Sequence, residues 1–204
     1  MRKHTLGWCF ALLLLGSGSA WAAPTEWKID GSHSSAQFSV RHMMVSNVRG
    51  EFAKVSGQAT IDDADLAKSH VTAEIDAATI NTRDAKRDAH LRDTDFLDVA
   101  KFPKITFKSH KIEKAGNQLR VTGDLTIHGI TKTVVLMSEA PSQAVKDPFG
   151  NTKRGLTATT KISRKDFGLT WNKLLETGGA VVGDEINITI DLELNQVKPG
   201  ASPK

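Results

Sequence analysis

The histidines are the side chains of this chain best suited to proton transfer or metal binding. Six of the seven lie beyond the N-terminal region, at His33, His42, His70, His90, His110 and His128. No two of them have the H-x-H or H-E-x-x-H spacing that brings two imidazoles to one metal ion, so the sequence predicts no metal site. His33 and Ser34 are adjacent, and adjacent strand residues point to opposite faces, which argues against a direct nucleophile–base pair.

Other catalytic signatures are missing from the sequence as well. There is no G-x-S-x-G nucleophile turn, and the glycines form neither a phosphate-binding loop nor a dinucleotide fingerprint. The chain has no tyrosine, which removes a common acid–base residue. A Ser–His–Asp set assembled by the fold stays open, but the sequence predicts no catalytic residue and no cofactor.

The first 22 residues have the composition of a cleaved export signal. Arg2 and Lys3 form a positive start, Leu6–Leu15 is almost wholly apolar, and small residues follow up to an A-x-A pattern that ends at Ala22. The apolar run has about half of the ~20 residues that a membrane-spanning helix needs. Cys9, the single cysteine, lies inside this leader, so the mature chain is expected to contain no disulfide and no thiolate nucleophile.

The charge balance predicts no nucleic-acid partner. The chain has 27 Lys and Arg residues against 23 Asp and Glu residues, and two of the cations belong to the leader. The remaining charges are spread evenly, without a basic block. No second apolar run is long enough to span a membrane. We therefore expect one exported soluble domain over residues 23–196, followed by a flexible tail over 197–204.

The elements that must position any functional side chain are strands, because apolar and polar residues alternate along most of the chain. The clearest case is 185–195, in which five branched aliphatic residues alternate with polar ones. Similar alternation predicts strands over 36–42, 71–76, 105–112, 119–127, 132–138 and 156–162. Short turns separate these runs, which favours antiparallel neighbours in a sandwich or barrel of about eight strands.

One segment, residues 82–100, departs from this alternation and predicts a short helical insertion. It is rich in helix formers, and Thr82 or Asp84 is a suitable N-cap for a helix that ends near Leu91. Asp93 or Thr94 would begin a second brief turn. Pro103 then marks the return to extended chain.

The order of motifs resembles that of the YceI-like family, the bacterial polyisoprenoid-binding periplasmic proteins. The most specific stretch is Gly123-Asp124-Leu125-Thr126-Ile127-His128-Gly129, followed by Thr131, Lys132 and Val134. The match spans nearly all of the mature chain, and its other parts are Trp27-Lys28-Ile29-Asp30, His33-Ser34, Phe38, Val40, His42, Gly50, Phe52, Gly57, Thr82, Arg87-Asp88, His90-Leu91, Asp95-Phe96, Phe102-Pro103, Phe107, Ile162, Arg164, Asp166-Phe167-Gly168 and the strand from Gly183 to Leu194.

The resemblance implies an all-β fold, an extended antiparallel eight-stranded lipocalin-like β-barrel with a short helical insertion and an internal apolar cavity. It also implies a periplasmic location and a binding function, with a long isoprenoid such as a polyprenyl phosphate or quinone, or a fatty-acyl amphiphile, as the ligand. The family has no established catalytic residues, so the resemblance implies a carrier and not an enzyme. An enzyme acting on a cavity-bound lipid and a ligand-free stress or adhesion module stay open as alternatives.

The predicted ligand-contacting residues lie mainly on the apolar faces of the predicted strands. His42 shares the parity of Phe38 and Val40, which points it inward on a regular strand. Phe96 flanks the helical insertion and Trp171 a loop near the cavity mouth. The full set is Phe38, Val40, His42, Phe52, His90, Phe96, Phe107, Leu125, Ile127, Leu136, Trp171, Ile188 and Ile190.

The predicted head-group contacts are the polar residues His33, Arg41 and Arg87. A guanidinium can donate two parallel hydrogen bonds to a phosphate, and an imidazole can donate to a quinone carbonyl. Surface pairing of Arg87 with Asp88 is the alternative for that arginine. The expected partner is an isoprenoid or acyl-chain lipid, and a homodimer formed through a sheet edge or barrel rim stays open.

Overall fold

The computed structural model describes residues 23–174 and 179–198. Strand is the main secondary structure of this part of the chain, with one α-helix, α1, at Ala85–Arg92 and short 3₁₀ helices at Leu66–Lys68, Ala77–Thr79 and Arg164–Phe167. The strands are β1 Thr25–Ile29, β2 Ser35–His42, β3 Ser46–Phe52, β4 Val55–Ile61, β5 His70–Asp76, β6 Ile80–Asn81, β7 Lys104–Ala115, β8 Gln118–Ile127, β9 Ile130–Ser138, β10 Val145–Lys146, β11 Thr152–Ser163 and β12 Val182–Gln196.

Eight of these strands close into an antiparallel barrel, as the sequence predicted. Their order around the barrel is β11-β9-β8-β7-β5-β4-β1-β12, and pairing of β11 with β12 completes the ring. The β11–β12 seam is long, from Lys153 opposite Asn195 to Ser163 opposite Glu185. Closure removes the free edges that an open sheet of this size would expose.

The barrel is extended at one end because β12 is too long for a single neighbour on its other side. Residues 194–196 pair with β1, whereas residues 182–191 pair with β2. β3 and β6 continue the sheet beyond β2. The β2–β12 register shifts between Val182 and Ile186, which marks a bulge at the end of β2.

All seven runs that showed strong alternation are strands in the structure. The strands that alternation did not identify are β1, β3, β4, β6 and β10. β3 contains Gly50 and β4 contains Gly57, each at a position where an apolar side chain would complete the alternation of apolar and polar residues. These strands are held by their neighbours in the sheet and not by a strong local pattern.

The helical insertion forms where the sequence predicted it, with Asp84 as the N-cap. The Asp84 side chain accepts hydrogen bonds from the backbone N–H groups of Lys86 and Arg87 at 3.0 Å. Surface pairing of Arg87 with Asp88 does not occur. Asp88 is buried and accepts from the backbone N–H and the hydroxyl of Thr82 at 2.8 and 2.5 Å, and Arg87 donates to the same threonine. Both residues therefore attach α1 to the end of β6.

Two parts of the expected domain organisation lie outside the described residues: the leader over 1–22 and the tail from 199 onward. Within the described chain, no helix has the length and hydropathy needed to cross a lipid bilayer.

A candidate ligand cavity

The interior of the barrel is an elongated cavity of about 270 Å³. A void of roughly 10–15 Å³ is enough for one water molecule, so this space is far larger than a packing defect. Its surface is almost wholly carbon. Several inward-facing aliphatic residues, including Val40, Ile188 and Ile190, are only half-buried, because their inner surfaces face this space and not another side chain.

Clusters of buried apolar residues form the wall around this space, and many of their members also line it. One cluster is built around Trp27, which is 2% exposed, together with Leu194 and Val55. A second cluster at the α1 end contains Leu97 and Phe167. Packing at these places holds the wall in position without filling the centre.

Ten of the predicted ligand-contacting residues line this cavity. They are Phe38, Val40, Phe52, Phe96, Phe107, Leu125, Ile127, Leu136, Ile188 and Ile190. They come from six different strands and from the loop after α1. Closure of the barrel brings them to one interior space. Direct contact with a ligand stays a prediction for each of them.

Three predicted contacts, His42, His90 and Trp171, do not line the cavity. His90 and Trp171 form an aromatic cluster with Phe96, with ring centroids 5.0–5.1 Å apart. Phe96 is the member that reaches the cavity, and the other two rings pack against it and join α1 to the 169–174 segment. His42 is half-buried and lies opposite Val182, next to the bulge that ends the regular β2–β12 pairing, and its contact with a ligand stays a prediction.

The three predicted head-group residues also lie away from the cavity lining. His33 is an exposed turn residue whose Nδ1 is 3.1 Å from Asp30 Oδ2. Arg41 donates to the carbonyl of Met44 at 3.0 Å, and Arg87 donates to Thr82. Local turns and caps already use their polar atoms, and contact with a ligand head group stays a prediction for these three residues.

Arg164 lines the cavity but is not among the head-group residues predicted from the sequence. It is 3% exposed, and all five of its N–H donors are engaged. The acceptors are the carbonyls of Gly183, Val182, Leu169 and Trp171 and the carboxylate of Asp184. The side chain therefore holds the 169–171 and 182–184 segments together at one end of the cavity and has no donor left for a ligand.

Polar residues at the opposite end were also missed by sequence reasoning. Ser69, His70, Ser138 and Glu139 line the cavity, and both His70 and Glu139 are exposed to solvent. They come from the start of β5 and the end of β9, which the sequence gives no reason to associate. Only the barrel closure places them beside one apolar space.

Gly50 leaves space for the Phe38 ring beside the barrel wall. The two residues are directly opposite each other on β2 and β3. A Cβ at position 50 would lie 2.5 Å from Phe38 Cζ and 2.8 Å from Thr82 Cγ2. The phenyl ring therefore occupies the space that a side chain at position 50 would fill, and it lies against the barrel wall. With alanine at position 50 the ring would have to extend further into the lumen.

Gly50→Ala is expected to push the Phe38 ring into the lumen. We expect a loss of about 1–3 kcal/mol of stability from overpacking, together with weaker uptake of a prenyl probe such as geranylgeraniol. Gly155→Ala in β11 is the matched control, because a Cβ there would meet its nearest atom, the Leu192 carbonyl oxygen, at 3.6 Å. Thermal unfolding and probe titration measure both effects; equal behaviour of the two variants would show that Gly50 has no special role.

Asp30 is the centre of an ion-pair cluster at the junction of β1 and β2. Its carboxylate interacts with His33, with Lys153 Nζ at 3.0 Å and with Asn195 Nδ2 at 3.2 Å. Asp30, His33 and Glu193 are close enough together to hold a cation, but Lys153 Nζ also donates to Glu193 at 2.5 Å. The ammonium group therefore supplies the positive charge at this position.

The pKa of Asp30 is held well below its ordinary value, mainly by hydrogen bonds from His33 and Lys153. A carboxyl with a depressed pKa stabilises the fold while it is ionised, and this contribution declines as the pH falls below the ordinary aspartate pKa of about 3.9. We expect Asp30→Asn to reduce the loss of thermal stability between about pH 4 and pH 2. An acid-induced loss as steep in the variant as in the wild type would contradict this assignment.

Comparison with known proteins gives consistent results for sequence and fold. A model of the YceI-like domain matches residues 27–194. The protein YceI of Salmonella agona strain SL483 is 38% identical over 200 residues, which cover 97% of this chain and 100% of the relative. The crystal structure of Burkholderia cenocepacia BcnA has a TM-score of 0.69 at 26% identity, covering 81% of this chain and 98% of its own.

A more distant structure shares the fold alone. It is a polyisoprenoid-binding domain from Saccharophagus degradans, described as implicated in plant cell wall breakdown. Its TM-score is 0.60 at 15% identity, and the match covers 84% of this chain and 98% of that domain.

Proposed function

Because this chain belongs to the YceI-like family, we propose that it is an exported carrier that holds one long isoprenoid or acyl chain inside its barrel. The observation that carries the proposal is the continuous apolar cavity through the barrel. The polyisoprenoid-binding domain of similar fold supports a prenyl lipid as the preferred class of ligand. The composition of residues 1–22, which predicts an export signal, supports action in the periplasm.

Burial of the hydrocarbon chain provides the driving force. Each CH₂ moved from water to an apolar environment contributes roughly 0.8 kcal/mol, so about 16 carbons offer on the order of 12 kcal/mol before costs. Lost translational and conformational freedom offsets a large part of this gain. The remainder allows tight binding with few polar contacts, which suits a cavity whose lining is nearly all carbon.

Binding without catalysis is the proposal that the cavity chemistry supports. Among the described lining residues, the ionisable ones are His70, Glu139 and Arg164. Arg164 has no donor left for a substrate, and the other two are exposed at one end of the cavity. No acid–base pair therefore faces the middle of the space where the chain of a lipid would lie.

Native mass spectrometry of the protein purified from its host is the direct test. We expect an adduct of an organic molecule that extraction identifies as a prenyl or acyl lipid, and we expect the delipidated protein to bind geranylgeraniol. A delipidated protein that takes up neither geranylgeraniol nor a fatty acid would overturn the carrier proposal. Conversion of the bound lipid to a product during incubation would favour the enzyme instead.

A further inference from the structure

The β2–β3 hairpin ends in a tip of three exposed apolar residues. Met43, Met44 and Val45 are 43%, 60% and 77% exposed. The backbone N–H of Met43 donates to the carbonyl of Val181 at 2.8 Å, which joins the tip to residues 179–182. Leu174, which forms an isolated β-bridge with Ala180, is 88% exposed. We refer to these four side chains as the apolar tip.

The backbone of the apolar tip is not one that methionine favours. Met43 and Met44 have φ values of 48° and 61°, in the left-handed region where glycine and asparagine are usually found. Hairpin formation alone would select those residues at this turn. The chain instead has two flexible apolar side chains, which contribute little to the core and make adaptable apolar contacts.

Positive charge surrounds the apolar tip. Arg41 and Lys173 flank it and form no ion pair with a carboxylate among the described residues. The two acids at the adjacent start of β12 are already paired: Asp184 with Lys165 at 2.7 Å and Glu185 with Lys161 at 3.0 Å. Among the residues that the structure describes here, the unpaired charge beside the apolar side chains is therefore cationic.

The ligand cavity extends to the base of the apolar tip. Val40 and Val182 line the cavity, and Val182 lies opposite His42, the last residue before the tip. A surface that contacts this tip would therefore lie close to this end of the cavity.

We propose that the apolar tip is a membrane-docking surface that inserts into the interface of an anionic bilayer. Exposed apolar side chains with flanking cations match the two components of such a surface, the acyl region and the anionic head groups. Four protruding side chains offer far less area than the roughly 1,200–2,000 Å² that a stable protein–protein interface buries, which disfavours a second copy as the occupant. The inference rests on the carrier function proposed above, because a carrier of a membrane lipid must meet a bilayer.

The test is binding of the mature protein to phosphatidylethanolamine–phosphatidylglycerol vesicles, compared with phosphatidylcholine vesicles. We expect binding to the anionic vesicles and an affinity loss of about tenfold or more in the double variant Met44→Asn, Val45→Thr. Asparagine suits the positive φ, so thermal stability of this variant should be equal to or above that of the wild type. Lys173→Gln should reduce the preference for anionic vesicles.

Phe149 supplies the matched control. It is 89% exposed and lies in the turn before β11, whose first residues pair with the opposite end of β12. Phe149→Asn should leave vesicle binding unchanged. The proposal is overturned if the tip variant binds vesicles as well as the wild type does, or if the wild type ignores vesicles but still takes up geranylgeraniol. A change of oligomeric state caused by the tip variant without vesicles would overturn it in favour of a protein contact.

Discussion

Leu125→Trp is expected to remove most of the uptake of a prenyl probe while leaving the barrel folded. Leu125 lies near the C-terminal end of β8, is half-buried and lines the cavity. It packs both against the cluster that contains Leu97 and Phe167 and against a further cluster that contains Phe107 and Leu136. A larger side chain there would extend into the cavity beside them. In a hollow barrel the indole fills empty volume and competes directly with the hydrocarbon chain.

The size of the effect distinguishes a hollow barrel from a filled one. In a filled barrel the same substitution would overpack the core and cost about 1–3 kcal/mol of stability. In the hollow barrel we expect at least a roughly tenfold loss of affinity for geranylgeraniol, equivalent to about 1.4 kcal/mol of binding, with a smaller change in the free energy of unfolding.

Val135→Trp is the control for this experiment, because Val135 lies on β9 with its side chain exposed on the outer face. It should leave both the affinity and the stability close to the wild-type values. Loss of folding and uptake in equal measure on Leu125→Trp would contradict an empty lumen. Probe titration and urea unfolding on the same samples supply both measurements.

Arg164→Ala is expected to destabilise the protein by about 3–5 kcal/mol, because it removes a buried guanidinium that donates to several backbone carbonyl groups. The substitution removes five hydrogen bonds and leaves buried carbonyl groups of the 169–171 and 182–184 segments without donors. Lysine is a poor replacement, because a single ammonium cannot reproduce the fork of donors that guanidinium provides. Arg164→Lys should therefore recover only part of the loss.

Lys165→Ala separates this effect from loss of charge alone. Lys165 is exposed and also pairs with Asp184, at 2.7 Å. An exposed ion pair contributes about 0–1 kcal/mol, so its removal should change the denaturation midpoint little. Similar midpoints for the Arg164→Ala and Lys165→Ala variants would mean that the buried hydrogen bonds of Arg164 do not hold the two segments.

The strands and the lining residues were predictable where local pattern and tertiary environment agree. β12 has one aliphatic face because that face meets the lumen along its whole length, and the alternation records this directly. β3 could not be recognised in the same way. Its Gly50 makes space for Phe38, a residue on another strand, so the reason for the glycine lies outside the segment that contains it.

The polar residues were poorly predicted, because their type does not reveal their partners. Arg87 and Arg164 have the same functional group, yet one attaches a helix to Thr82 and the other holds two segments beside the cavity. His70 reaches the lining only because β5 begins next to an end of the barrel. Such positions depend on how strands far apart in sequence are aligned.

By itself, the sequence determined an all-β chain with a capped helical insertion, and it determined which side of most strands is apolar. Those features depend on interactions within a few residues, and the period-two pattern records them directly. Only the tertiary structure decided that the apolar faces surround an open space. The same aliphatic residues would serve a filled core, and the difference arises from β11–β12 closure, from packing confined to the wall, and from the Phe38 ring lying against Gly50.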